Sequence, residues 1–230
     1  MTMIADNLQR VRARMEQACR ACGRDPASVT LLAVSKTFGA DAVRQAHAAG
    51  QTAFGENYIQ EAVDKMVAVA DLPLTWHCIG PIQGNKTRLV AGHFDWAHTV
   101  DRLKIAERLS VQRPAQRAPL QVCLQVNIDG GPNKSGVAPG QALALAREVA
   151  QLPGLTLRGL MTIPPYEPEP ESARPYFAAL RHLRDELAQR HPQADWRHLS
   201  MGMSHDFEVA IEEGATIVRV GTAIFGARDA

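Results

Sequence analysis

Val29 to Thr37 reads V-T-L-L-A-V-S-K-T, a run of β-branched and apolar residues that ends on a lysine. Asp25-Pro26 bounds it before and Gly39 after, which predicts a strand buried on both faces, as in a parallel sheet. Lys36 then stands where the strand leaves the core. An ammonium at the mouth of an apolar site loses hydration, and the amine becomes a nucleophile able to form Schiff bases with carbonyl compounds. The plain alternative is a solvated lysine just past a strand end, the commoner fate of this residue type.

Outward from this strand the same unit recurs. Ile4 to Ala21 carries Ile4, Leu8, Val11, Met15 and Ala18 at helical spacing, closed by Gly23, which predicts an extra helix before the first strand. Asp41 to Ala49 predicts a helix ended by Gly50, Thr52 to Glu56 a strand and Tyr58 to Val69 a helix. Thr75 to Gly80 is the third strand, with a short helix from about Asn85; Asp95 to Val100 is the fourth, with a helix from Arg102 to Val111. Leu120 to Asn127 is the fifth, followed by the glycine-rich loop I-D-G-G-P-N-K-S-G and a helix from Pro139 to Gln151. Leu155 to Ile163 is the sixth, followed by a proline-rich loop and a helix from Ser172 to Arg190. Trp196 to Ser200 is the seventh, before a helix from Asp206 to Glu213, and Thr216 to Val220 with the continuation G-T-A-I-F-G is the eighth.

Eight strands alternating with helices in 230 residues predict one α/β domain, a single (β/α)8 TIM barrel spanning 1–230 with an extra N-terminal helix. An open doubly wound sheet is the runner-up, but no G-x-G-x-x-G opens a first helix.

The 25 basic and 24 acidic residues leave a formal charge of +1, and 5% of residues are aromatic. Neither a field for nucleic acid or anionic membrane nor a stacking platform for bases follows. Cys19 and Cys22 have C-x-x-C spacing but lie in a helical pattern with no strand before them and no second ligand pair, so the cysteines are read as reduced, in a cytoplasmic protein. No signal peptide, membrane-length apolar run or metal-ligand spacing is visible in the sequence, and no G-x-S-x-G elbow argues for a serine hydrolase.

In a barrel the chemistry gathers where strands end. That rim is expected to hold Lys36, Glu56-Asn57, His77 to Gln83, Asn127, Met161-Thr162, Ser200 to Ser204 and Arg219 to Gly226. Arg219, inside the apolar run V-R-V-G-T-A-I-F-G, must find an anion or acceptors, because an unpaired buried charge is too costly. Gly221 and Thr222 after it can offer N–H groups and a hydroxyl to a phosphate, and S-M-G-M-S after strand seven adds two more hydroxyls. A salt bridge from Arg219 to a helix carboxylate explains the same residues equally well. His77 reads first as a packed, hydrogen-bonded histidine, and Glu56-Asn57 either orients a ligand or caps the following helix.

Seven motifs in order, A-V-S-K-T (33–37), F-G-E-N-Y-x-Q-E (54–61), H-C-I-G-P-I-Q-G-N-K (77–86), V-N with K-S-G (126–127, 134–136), G-L-M-T-I (159–163), L-S-M-G-M-S-x-D (199–206) and V-R-V-G-T-A-I-F-G (218–226), cover nearly the whole chain. Together they resemble the pyridoxal phosphate homeostasis protein family, single-barrel relatives of the alanine racemase N-terminal domain. The resemblance implies that Lys36 carries pyridoxal 5'-phosphate as an internal aldimine and that Arg219 faces the pyridine nitrogen. It implies that Ser204 with the backbone of Gly221 and Thr222 holds the phosphate, and that Asn57, His77 and Met203 line the ring. The family usually has an acidic residue before the lysine that matches Lys134, where this chain reads D-G-G-P-N-K.

The resemblance further implies a binding and delivery protein, with PLP-dependent apo-enzymes as partners, no catalytic residues and no metal. The chain ends four residues past Gly226, so the second, β-rich domain that gives alanine racemase its catalytic tyrosine and dimer is expected to be absent, and a monomer is expected. The rival is a PLP-dependent racemase or lyase in which His77 or Tyr58 supplies a second proton.

Overall fold

A computed structural model describes residues 2–132 and 134–227. Asn133, within the D-G-G-P-N-K loop, lies outside them. Among the described residues eight parallel strands close a barrel in chain order: β1 (Thr30–Val34), β2 (Ala53–Glu56), β3 (Thr75–Cys78), β4 (Trp96–Val100), β5 (Leu120–Gln125), β6 (Leu155–Met161), β7 (His198–Ser200) and β8 (Ile217–Val220). The expected (β/α)8 architecture is therefore what the chain forms. β1 and β8 pair through Thr30 with Ile217, Leu32 with Arg219 and Ala33 with Val220, which brings the two ends of the sequence together.

The helices cover the outside: α1 (Met3–Ala21), α2 (Ala40–Ala48), α3 (Ile59–Ala68), α4 (Thr87–His93), α5 (Leu103–Gln112), α6 (Ala142–Ala150), α7 (Arg174–Arg190), α8 (Phe207–Glu212) and α9 (Thr222–Phe225). The extra helix α1 packs on α2, α8 and α9. Asn7 on it donates from Nδ2 to the Ile224 carbonyl at 2.8 Å, so the first helix holds the turn that follows the last strand.

Strand alternation sorts the core into two parts. Outward residues such as Leu31, Ala33, Phe54, Val218 and Val220 join the layer shared with the helices. Inward residues Leu32, Val34, Ile79 and Ile217 form a separate cluster inside the barrel, with Ala53 and Trp96 against it. Leu32 and Leu124 are both fully buried, as parallel strands covered on two faces demand.

Two boundaries differ from the sequence reading for identifiable reasons. The G-T-A-I-F-G continuation of strand eight is the helix α9, because pairing with β1 stops at Val220 and the Gly221 carbonyl accepts from Ile224 N–H at 2.9 Å and Phe225 N–H at 3.0 Å. β7 starts at His198 and not at Trp196. Trp196 Nε1 donates to the His191 carbonyl at 2.9 Å and Arg197 N–H donates to Asp195 Oδ1 at 3.1 Å, which takes both residues out of the sheet.

Candidate functional site

Lys36 lies two residues beyond β1, half-buried, in a tight turn closed by Phe38 N–H donating to the Ser35 carbonyl at 3.1 Å. Thr37 has φ 68°, a left-handed conformation uncommon for a β-branched residue, and the positive φ at the third position is that of a type II turn. Continued past Val34, the inward alternation of Leu32 and Val34 places Lys36 on the barrel-interior side. An added Cβ at Gly221 would meet the Val34 carbonyl oxygen at 3.4 Å, so the end of β1, two residues before Lys36, sits beside the loop after β8.

Arg219 is 4% exposed and points into the barrel. It donates from Nη1 to Ser200 Oγ at 2.8 Å and from Nη2 to the Thr162 carbonyl at 2.9 Å. These acceptors, rather than the helix carboxylate considered above, are its hydrogen-bond partners, and Asp206 acts on it electrostatically. Burial pulls its pKa down to about 10, an effect that Asp206 and Cys123 oppose, and the group stays cationic at neutral pH.

From Ser200 a polar chain crosses the interior. His98 Nδ1 lies 2.8 Å from Ser200 Oγ, and His98 Nε2 lies 2.9 Å from His77 Nδ1. His77 also stacks on Trp96, with ring centroids 5.3 Å apart and planes 10° apart. Burial, with a smaller repulsion from His198, pushes His77 down to about 3. Burial, then His77, Arg219 and His198, hold His98 well below the ordinary imidazole value. Both rings are therefore neutral at physiological pH, and His77 is placed as the packed, hydrogen-bonded residue of its first reading.

The loop after β8, next along the chain from Arg219, offers groups suited to an anion. Ser204 Oγ accepts from Gly221 N–H at 3.2 Å and from Ala223 N–H at 3.5 Å, at the start of α9. The two hydroxyls of S-M-G-M-S thus part company, Ser200 inward to Arg219 and Ser204 to the loop after β8. Met203 is half-buried between them, its N–H donating to Asp206 Oδ1 at 2.7 Å, while the Thr222 side chain is exposed. Gly202 has φ 92°, and a Cβ there would lie 2.6 Å from the Ala210 side chain, so this loop closes only with glycine.

Asn57 follows β2 and is half-buried. Its Oδ1 is buried without a hydrogen-bond partner, as is Asn127 Oδ1, while Asn127 Nδ2 donates to the Gly131 carbonyl at 2.9 Å. A Cβ on Gly80 would lie 2.1 Å from the Asn57 carbonyl oxygen, so the loops after β2 and β3 interlock through that glycine. Beside them opens a cleft of ≈ 350 Å³ lined by Asn57, Ile79, Thr99, Gln125, Lys134 and Tyr166 among others. Lys134, which faces it, also pairs with Asp129 at 2.8 Å.

Three features escape the sequence reading. Glu56 does not cap α3, whose N-cap is Tyr58 without a side-chain bond; it lies fully buried against Lys65 at 2.6 Å. His98 and Ser200 join Arg219 to His77, a link hinted at by their inward register on β4 and β7. Ala223 N–H joins Gly221 N–H at Ser204, where the reading named Thr222. Among the described residues no group of three His, Cys, Asp or Glu side chains could hold a metal ion, and no helix is long and apolar enough to cross a membrane.

The arrangement fits a phosphorylated aldehyde with a basic ring. It provides an amine in a fixed turn, a buried guanidinium with donors to spare, backbone N–H groups under a serine and unsatisfied buried acceptors at one rim.

Residues 4–229 match the family described as alanine racemase, N-terminal domain. The chain is 60% identical over 229 residues to the pyridoxal phosphate homeostasis protein of Pseudomonas aeruginosa, covering 100% of this chain and 97% of that one. Among solved structures, PipY of Synechococcus elongatus without PLP superposes with a TM-score of 0.87 at 42% identity, over 97% of this chain and 100% of that one. The same protein with PLP bound gives 0.86 at 41% identity, over the same shares.

Proposed function

The chain belongs to the alanine racemase N-terminal domain family, among the pyridoxal phosphate homeostasis proteins, and from that premise we propose that it binds pyridoxal 5'-phosphate through a Schiff base on Lys36 and buffers or delivers it inside the cell. When bound, that cofactor supplies an aldehyde carbon open to an amine and a ring able to withdraw electrons. The observation that carries the reading is the approach of Gly221 to Val34 at the end of β1, two residues before Lys36, with Ser204 Oγ accepting the N–H groups of Gly221 and Ala223 and Arg219 buried two residues before Gly221.

Each residue then has a role its surroundings support. Lys36 holds the carbonyl carbon. Arg219, with donors left after Ser200 and Thr162, faces the ring nitrogen; a cation there keeps that nitrogen unprotonated and weakens the ring as an electron sink. Ser204 and the backbone of Gly221, Thr222 and Ala223 would hold the phosphate, and Asn57, His77 and Met203 would line the ring.

Racemisation needs an acid or base on each face of Cα, and the rival reading takes the second from His77 or Tyr58. His77 is 3% exposed, neutral and engaged with His98, and Tyr58 is 52% exposed at the start of α3. Both placements support binding and release over turnover, release occurring by exchange with another amine. A cytoplasmic monomer that hands the cofactor to apo-enzymes is the form this reading takes.

Borohydride reduction of protein incubated with pyridoxal phosphate, followed by peptide mass mapping, is the test. Label on Lys36 is the expected result, and a protein that takes no label there overturns the cofactor reading. Rapid, Lys36-dependent deuterium exchange at Cα of an amino acid in heavy water would instead favour the enzyme.

A further inference from the structure

Behind the Lys36 turn, on the outer face of the barrel wall, lies a buried charged cluster that plays no part in the roles given above. Lys65, on α3, has a side chain only 4% exposed. Its Nζ donates to Glu56 Oε1 at 2.6 Å, to the Ser35 carbonyl at 2.8 Å and to Glu61 Oε1 at 3.3 Å. Ser35 Oγ donates to the same Glu56 oxygen at 2.5 Å. Glu61, its side chain 38% exposed at the surface end of the cluster, accepts the Thr37 N–H at Oε1 over 2.8 Å.

The residues on both sides of Lys36 are thus tied down. The Ser35 carbonyl closes the turn with Phe38 and is held by Lys65; the Thr37 amide, at its positive φ of 68°, is held by Glu61. A β-branched residue in the left-handed region is strained, and it persists only when its surroundings over-determine it. Burying a carboxylate and an ammonium is costly, and their mutual attraction does little more than offset it. An apolar pair between β2 and α3 would stabilise the wall as well. What an apolar pair cannot do is donate to the Ser35 carbonyl and to Glu61, the carboxylate that accepts the Thr37 N–H.

We propose that Glu56, Lys65 and Glu61 are positioning residues that lock the turn so that the Lys36 amine is presented to a carbonyl ligand inside the barrel. This rests on the reading of Lys36 as the cofactor-binding amine. The bond-forming step is condensation of that amine with the aldehyde, forming one C=N bond and releasing one water. The cluster acts before it, by removing alternative turn conformations in which the amine faces solvent. Displacement of a reacting group by about 1 Å can cost on the order of a hundredfold in rate, so a loosened turn has a measurable effect.

The test is the rate at which apo-protein forms the Lys36 adduct with pyridoxal phosphate, trapped by borohydride at timed intervals and mapped by mass. Glu61→Ala, at the exposed end of the cluster, leaves the core packing alone and is expected to slow the adduct about tenfold. Glu61→Gln, whose amide oxygen still accepts from Thr37 N–H, is expected to restore the rate to within about twofold of wild type, a rescue that a merely structural role does not predict. Lys65→Met is expected to slow it at least as much; should that variant not fold, the Glu61 pair decides. Glu61→Ala reacting at the wild-type rate overturns the positioning role. Wild-type protein labelled at a lysine other than Lys36 overturns instead the cofactor reading on which it rests.

Discussion

The buried imidazole chain makes stability fall on mild acidification. His77 is neutral in the folded protein because burial lowers its pKa to about 3, against 6.5 when exposed to water. Between those values the unfolded chain binds a proton that the folded chain refuses, so stability is fully present above about pH 6.5 and is lost as pH falls towards 3. From pH 7 to pH 5 the loss is about 2 kcal/mol for His77, at ~1.4 kcal/mol per unit below 6.5. His98, depressed by burial and by His77 and Arg219, adds to it in the same direction. For a protein of this size about 2 kcal/mol corresponds to a Tm drop of ~4–8 °C. Glu56 and Asp206, both raised chiefly by burial, act in the opposite sense as the pH falls, so wild type should be compared with His77→Asn. The assay is urea denaturation at pH 7, 6 and 5, with NMR of the histidine ring protons. A wild-type loss between pH 7 and 5 no larger than that of His77→Asn, or ring resonances of His77 and His98 titrating near pH 6.5, would refute the account.

Three other outcomes follow from particular contacts. Gly80→Ala forces a Cβ to within 2.1 Å of the Asn57 carbonyl oxygen; overpacking of this kind costs about 1–3 kcal/mol, and an unchanged Tm by calorimetry is the contrary result. Lys65→Met alone leaves the fully buried Glu56 without its cation and should destabilise by about 3–5 kcal/mol in urea, while Glu56→Gln with Lys65→Met should recover more than half of that; additive losses contradict the pairing. Ser204→Ala should weaken retention of pyridoxal phosphate by about tenfold, as loss of a hydrogen bond to a charged group does, and leave binding of unphosphorylated pyridoxal unchanged; equal weakening of both ligands, measured by equilibrium dialysis, removes Ser204 from the phosphate.

The eight-fold alternation, the rim position of Lys36 and Arg219 and the family itself were legible in the sequence, because each depends on local pattern. Short strands of three to seven residues separated by helical periods leave few ways to bury both strand faces, and a closed parallel barrel satisfies them all. An arginine between valines announces its own burial and its need for acceptors. What the pattern could not show was which partner each polar residue would meet. In sequence Glu56 reads equally as orienting a ligand or capping a helix, and only the packing of α3 on β2 sets Lys65 against it and fixes the turn before and after Lys36. Ser200 and Ser204 are four residues apart, yet Ser200 ends β7 and accepts from Arg219 while Ser204 accepts from the loop after β8, Gly202 bending the chain between them. His77, His98 and Ser200 come from three strands, and their link to Arg219 exists only once the barrel is closed. Periodicity is a property of neighbours along the chain and so determines which faces are buried; hydrogen bonds across the barrel join residues up to 102 positions apart, and only the register of closed strands decides them.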